Sequence, residues 1–104
     1  MEEKLEAIEQ HYEALSQQMA DPAVANDYAR YSELAKQHSD MQEIVQKYRD
    51  FKKARKDLQE NEELAAGDDE LAEMAQAEIE PLKVSVAALE NDLKLLLEIG
   101  RAHV

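Results

Sequence analysis

The chain contains no cysteine and no tryptophan among its 104 residues. No disulfide framework and no thiolate metal site can therefore form. Glycine and proline occur twice each, and aromatic residues make up 5% of the sequence. A sheet protein needs frequent turns and strand-forming residues, and neither is supplied here. Cations are scarce as well: 12 Lys and Arg face 24 Asp and Glu, a formal net charge of -12. That balance argues against a protein whose main task is nucleic-acid binding, although it leaves room for a local basic patch. Long apolar runs are missing too. The run Leu95 to Leu97, like every other in the chain, falls far short of the ~20 residues that cross a bilayer. The opening Met1-Glu2-Glu3-Lys4-Leu5 has no apolar signal core. A soluble, cytoplasmic protein of one small domain, without membrane association, is expected.

What remains is helix-forming sequence, with 16 Ala and 12 Leu. Asp21-Pro22 with Asn26-Asp27, and then Gly67-Asp68-Asp69, break the chain into three segments, about 2–20, 27–66 and 69–97. In the first, Leu5, Ile8, Tyr12, Leu15 and Met19 recur at steps of three and four, which is one helical face. In the second, Tyr31, Leu34, His38, Met41, Val45 and Tyr48 form a stripe. A shifted stripe follows through Ile44, Tyr48, Phe51, Leu58 and Ala65, which places a change of packing partner near Ile44–Tyr48. The third segment repeats the pattern through Leu71, Ala75, Leu82, Val86, Leu89, Leu93 and Leu96. Such seams require partner helices. A helix of roughly forty residues is ~60 Å long, against a radius of gyration of only ~13 Å for a compact domain of this size. The predicted fold is all-α. It is an elongated three-helix bundle, a long antiparallel hairpin of the second and third helices with the shorter first helix packed on it. Pro81 inside the third helix predicts a kink or a short break, because it removes the bond to the carbonyl of Ala77.

Charge is unevenly distributed. Six of the twelve cations lie between Lys47 and Lys56, namely Lys47, Arg49, Lys52, Lys53, Arg55 and Lys56, with Tyr48 and Phe51 interleaved. Two readings follow. In one, the aromatics are core and the cations form a solvated face that pairs with acidic helices. In the other, the patch contacts RNA. The contact residues would then be Arg49, Lys52, Lys53 and Lys56, with Lys52 and Arg55 or Lys56 on one side of the helix and Arg49 and Lys53 on another.

No other chemistry is suggested. His11, His38 and His103 are scattered, without metal-ligand spacing. His38 falls on the apolar stripe, as a half-buried polar residue. Met19, Met41 and Met74 lie at seam positions as core fillers. The acids offer no distinguished pair for proton transfer, and the lone Gly67 cannot build a phosphate-cradling loop. No catalytic residue, metal or cofactor is expected.

The order of short sequence blocks, however, resembles a known family. Lys4-Leu5-Glu6-Ala7-Ile8 with Tyr12-Glu13, and Asp21-Pro22-Ala23-Val24 before Tyr31-Ser32-Glu33-Leu34-Ala35-Lys36-Gln37-His38, are similar to the N-terminal domain of bacterial peptide chain release factor 1, a class I termination factor. Ile44-Val45, Tyr48-Arg49 and Phe51-Lys52-Lys53 resemble its central helix. Asp69-Glu70-Leu71-Ala72-Glu73-Met74-Ala75 with Glu78-Ile79, and Leu93-Lys94-Leu95-Leu96-Leu97, resemble the third. The sister factor that reads UGA usually carries a Trp in the second segment, and its absence favours the type that reads UAA and UAG. The resemblance implies docking to the ribosome near the stalk base, through a stalk-base protein and ribosomal RNA, close to where a class II release factor GTPase acts. The family's Gly-Gly-Gln loop and Pro-x-Thr tripeptide do not occur in these residues, whose glycines are Gly67 and Gly100. A non-enzymatic, monomeric fragment is expected. The alternative is a free-standing acidic coiled-coil adaptor or chaperone-like subunit, and a structural dimer is a third reading.

The tail, residues 98–104, reads Glu98-Ile99-Gly100-Arg101-Ala102-His103-Val104, where the family continues with a Pro-Lys-Asp-Pro-like segment. It back-translates to a common sequencing-adapter read, so it is expected to be non-native. Sequencing the source gene beyond the codon for Leu97 checks this, and the same seven codons in intact genomic DNA would reject it.

Overall fold

The computed structural model describes residues 1–100, and no strand occurs among them. The chain forms four α-helices: α1 (Glu2–Ala20), α2 (Pro22–Ala25), α3 (Tyr28–Ala65) and α4 (Glu70–Glu98). The all-α class and the helical hairpin are as expected, but a fourth, one-turn helix occupies the first break. The reason is local. The Asp21 carboxylate accepts the N–H of Ala23 at 3.0 Å, and Pro22 fills the first helical position, where its missing donor does no harm. Asp27 starts α3 in the same manner, accepting from the N–H of Arg30 at 3.2 Å. Asp69 starts α4, accepting from the N–H of Leu71 at 3.0 Å. Three aspartates thus set three helix starts.

The fold divides into two compact units, and the division falls between Gln46 and Lys47 on α3. In the first, residues 1–46 with those from 94 onward, Leu5 and Leu15 of α1 are buried, as are Leu34, Met41, Ile44 and Val45 of α3. His38 is half-buried there, and its ring stacks on Tyr12 at a centroid distance of 4.0 Å. Its Nε2 lies 2.8 Å from the Ser16 hydroxyl, which itself donates to the Tyr12 carbonyl at 3.2 Å. Which of the two groups donates depends on the ring tautomer of His38. A seam histidine thus remains satisfied. His11 differs: its Nε2 is buried without a hydrogen-bond partner among the described residues.

The second unit, residues 47–93, is a hairpin of the later part of α3 against most of α4. Tyr48, Phe51 and Ala54 of α3 are buried, as are Ala75, Ile79 and Leu93 of α4. Two expected core positions near the turn are not: Leu71 and Met74 are exposed. Only two helices build this unit, so no third helix covers the far side of the seam there. The tail lies largely outside the described residues, since only Glu98, Ile99 and Gly100 of it are described. Gly100 has a φ of 71°, a backbone conformation that glycine adopts without strain.

Helix α4 runs through Pro81 without the short break that was one of the two expected outcomes, and a kink would leave it just as continuous. Pro81 and Ala77 are both exposed, so water can hydrate the Ala77 carbonyl that has no backbone donor. Ile79 and Leu93 meanwhile hold α4 in the core on either side. Replacing Pro81 with Ala restores the missing N–H. It is expected to stabilise the protein by roughly 1–3 kcal/mol, read as a higher midpoint in urea unfolding. An unchanged midpoint would mean that hydration already compensates the missing hydrogen bond.

Candidate nucleic-acid interface

The segment from Lys47 to Lys56 lies wholly within α3, so helical geometry fixes its layout. Tyr48 and Phe51 are each only 3% exposed, which excludes them as platforms for stacking bases. They are core, and the reading that interleaved them with the cations as RNA contacts fails at this point. Arg49, Lys52, Lys53 and Lys56 stand at positions i, i+3, i+4 and i+7 of one continuous helix. At ~3.6 residues per turn they fall within roughly 100° of arc. They therefore share one strip instead of the two sides expected. The strip lies opposite Phe51, Ala54 and Leu58, which point inward or are half-buried. Arg49, Lys53 and Lys56 are exposed and Lys52 is half-buried.

The surroundings give four of the six cations distinct roles. Lys47 crosses the hairpin and donates to Asp92 of α4 at 3.1 Å. The Lys52 ammonium sits 4.4 Å from the centroid of Tyr48, and the Arg55 guanidinium 4.9 Å from that of Phe51. Both long side chains thus lie over aromatic rings of the core, in cation–π geometry. Lys53 donates to Asp57, one turn further along, at 2.9 Å. That hydrogen bond, reinforced by the charges of Asp57 and Glu60, raises the Lys53 pKa above its ordinary 10.5. The pair is thus fully formed below the ordinary lysine range and is lost only as pH rises through the elevated value.

The strip is therefore a cationic surface, with Arg49, Lys53 and Lys56 exposed and Lys52 held over Tyr48. Such a surface can meet phosphates as point charges, without base stacking. Reading the sequence missed two details. The Lys53–Asp57 pair was legible as an i,i+4 spacing. The Lys47–Asp92 pair, 45 residues apart, had no sequence signal. Among the described residues, no group of His, Asp and Glu could hold a metal ion, and no helix is long and apolar enough to cross a membrane.

The same residues match a known family over nearly the whole chain. The PCRF domain profile aligns with residues 8–102. The chain belongs to the PCRF-domain family. It is similar to the N-terminal region of peptide chain release factor 1 from many bacteria. It is 45% identical to peptide chain release factor 1 of Lactobacillus gasseri over 96 residues, covering 90% of this chain and 26% of that protein. With peptide chain release factor 1 of Geotalea uraniireducens it shares 43% over 97 residues, 93% of this chain and 27% of the relative. With that of Alkaliphilus oremlandii it shares 40% over 100 residues, 93% and 28% respectively. The chain thus spans about a quarter of the length of these relatives. No solved structure matches it.

Removing the carboxylate that holds Lys53 tests the electrostatics of the strip in this PCRF domain. In Asp57→Asn the Lys53 titration, followed by NMR of its side chain, is expected to fall back toward 10.5. A midpoint that stayed put would show that Asp57 is not the cause.

Proposed function

We propose that this PCRF domain serves translation termination as a binding module that helps a release factor dock to the ribosome. The observation that carries the reading is the family match over residues 8–102, with 40–45% identity to proteins named peptide chain release factor 1. Its role is recognition without bond chemistry: the glycines are Gly67 and Gly100, so no Gly-Gly-Gln loop stands among these residues to hydrolyse the peptidyl-tRNA ester. Codon reading at UAA and UAG and ester hydrolysis belong to other parts of such a factor. The docking place is near the base of the ribosomal stalk, on its protein and on ribosomal RNA, beside the site of a class II release factor GTPase. The domain acts as a monomer in the cytoplasm.

Within this reading the strip Arg49, Lys52, Lys53 and Lys56 supplies the contact with ribosomal RNA. It concentrates positive charge on one face of an otherwise acidic chain, which is the local patch that phosphate recognition requires. Buried Tyr48 and Phe51 support the strip from beneath through Lys52 and Arg55.

Replacing the four strip cations with Gln in a full-length relative, at the matching positions, tests the contact. Ribosome association is expected to slow, and the slope of log affinity against log salt to flatten by about 0.7–0.9 for each phosphate no longer neutralised. Unchanged rates and slope at low and moderate salt would return the strip to a merely solvated face. Stop-dependent peptide release by the 104-residue chain alone would overturn its assignment as a binding module.

A further inference from the structure

Where α3 ends and α4 begins, a cleft of about 380 Å³ opens within the second unit. Asn61 and Leu64 wall it from α3, and Leu71, Met74, Ala75 and Glu78 from α4. Leu64, Leu71 and Met74 are 43%, 52% and 69% exposed. Single apolar side chains in water are ordinary, but three gathered around one concavity mark a surface built for contact. The cleft lies in the size range of ligand-binding pockets and has room for side chains of one partner helix. Methionine in its wall can repack around the occupant.

Charge selects that occupant. Residues 57–82 carry ten Asp and Glu and no Lys, Arg or His. Glu60 precedes Leu64 by four residues, Glu70 precedes Met74 by four, and Glu78 follows it by four. A carboxylate therefore stands one turn from these wall residues on the same helix face. Nucleic acid is repelled from such a rim, and a second copy of this chain offers its cations beside Tyr48, Phe51 and Ala54, which are buried and cannot enter an apolar cleft. An acidic helix is repelled as nucleic acid is.

We infer that the cleft docks a basic amphipathic helix of a protein partner. Apolar side chains at i and i+4 of that helix enter between Leu64, Leu71 and Met74, while its flanking Lys and Arg meet Glu60, Glu70 and Glu78. This is helix-in-groove recognition with the sign of the charge setting specificity. The inference is independent of the RNA contact proposed above, since it uses other residues, the opposite charge and a different class of partner.

The test uses the 104-residue chain, labelled with ¹⁵N, and synthetic peptides about sixteen residues long, enough to form a helix on binding. One is a Leu/Lys amphipathic helix. The second has the same composition scrambled so that its apolar stripe is lost, and the third is a Leu/Glu amphipathic helix. A single-stranded oligoribonucleotide is the fourth probe. The Leu/Lys helix is expected to shift the amide signals of Leu64, Leu71, Met74 and Ala75, with affinity that falls as salt rises. The other three probes bind at least about tenfold more weakly. Met74→Gln, and Leu71→Ser with Met74→Gln, alter side chains that are more than half exposed and leave helix content unchanged by circular dichroism. Met74→Gln alone weakens the Leu/Lys helix measurably, and the double variant does so about tenfold. Glu70→Gln with Glu78→Gln weakens it and flattens its salt dependence. Equal binding of the scrambled peptide would reduce the effect to diffuse attraction by the acids and overturn the groove. Preference for the Leu/Glu helix or the oligonucleotide, self-association through the cleft, or unaltered affinity in the folded double variant would each overturn the inference.

Discussion

Helix α3 must serve two cores with one backbone. A straight α-helix presents a given apolar face only while its sequence keeps the same register. Over 38 residues this helix changes register once. Leu34, Met41 and Val45 are buried with the first unit, and Phe51 and Ala54 with the second. The switch occurs around Ile44, Val45 and Tyr48, three buried residues spanning the division between Gln46 and Lys47. Everything else is arranged around that change. The basic strip lies on the face that α3 turns away from the core of the second unit.

That geometry explains how an acidic chain can carry a cationic surface. Phe51, Ala54 and half-buried Leu58 take the inner side of α3, so Arg49, Lys52, Lys53 and Lys56 are left with the outer one. Lys47 lies on the inner side and is drawn across to Asp92, where it joins the two arms of the hairpin instead of the surface. At partly exposed pairs such as this the net contribution to stability is small. Their effect is to decide which cations remain on the outer strip. Apolar burial by Tyr48, Phe51, Ile79 and Leu93 supplies the larger driving force.

The hairpin turn shows the opposite balance. Past Lys56 the sequence turns acidic, with no Lys, Arg or His until Lys83. Near the turn Leu64, Leu71 and Met74 are left open for want of a third helix. One helix pair thus carries a basic outer strip and an acidic apolar cleft, two chemically distinct surfaces. Tight helix starts at Asp27 and Asp69 fix where each helix begins, and so which residues line each surface.

The sequence by itself determined the helical class, the hairpin, the shift of stripe near Ile44–Tyr48 and the clustering of cations, because these depend on composition and on local periodicity. It held the signal for α2 as well: Asp21-Pro22 is a cap followed by a first-turn proline, and it was read only as a break. Tertiary structure decided the rest. It buried Tyr48 and Phe51, so they cannot stack on bases. It exposed Leu71 and Met74, because whether a seam position is covered depends on how many helices surround it. It carried α4 through Pro81, at an exposed stretch of the helix with buried Ile79 and Leu93 on either side. It paired Lys47 with Asp92 across 45 residues, a meeting that no local pattern encodes. Periodicity names the face of a helix; only packing decides what that face meets.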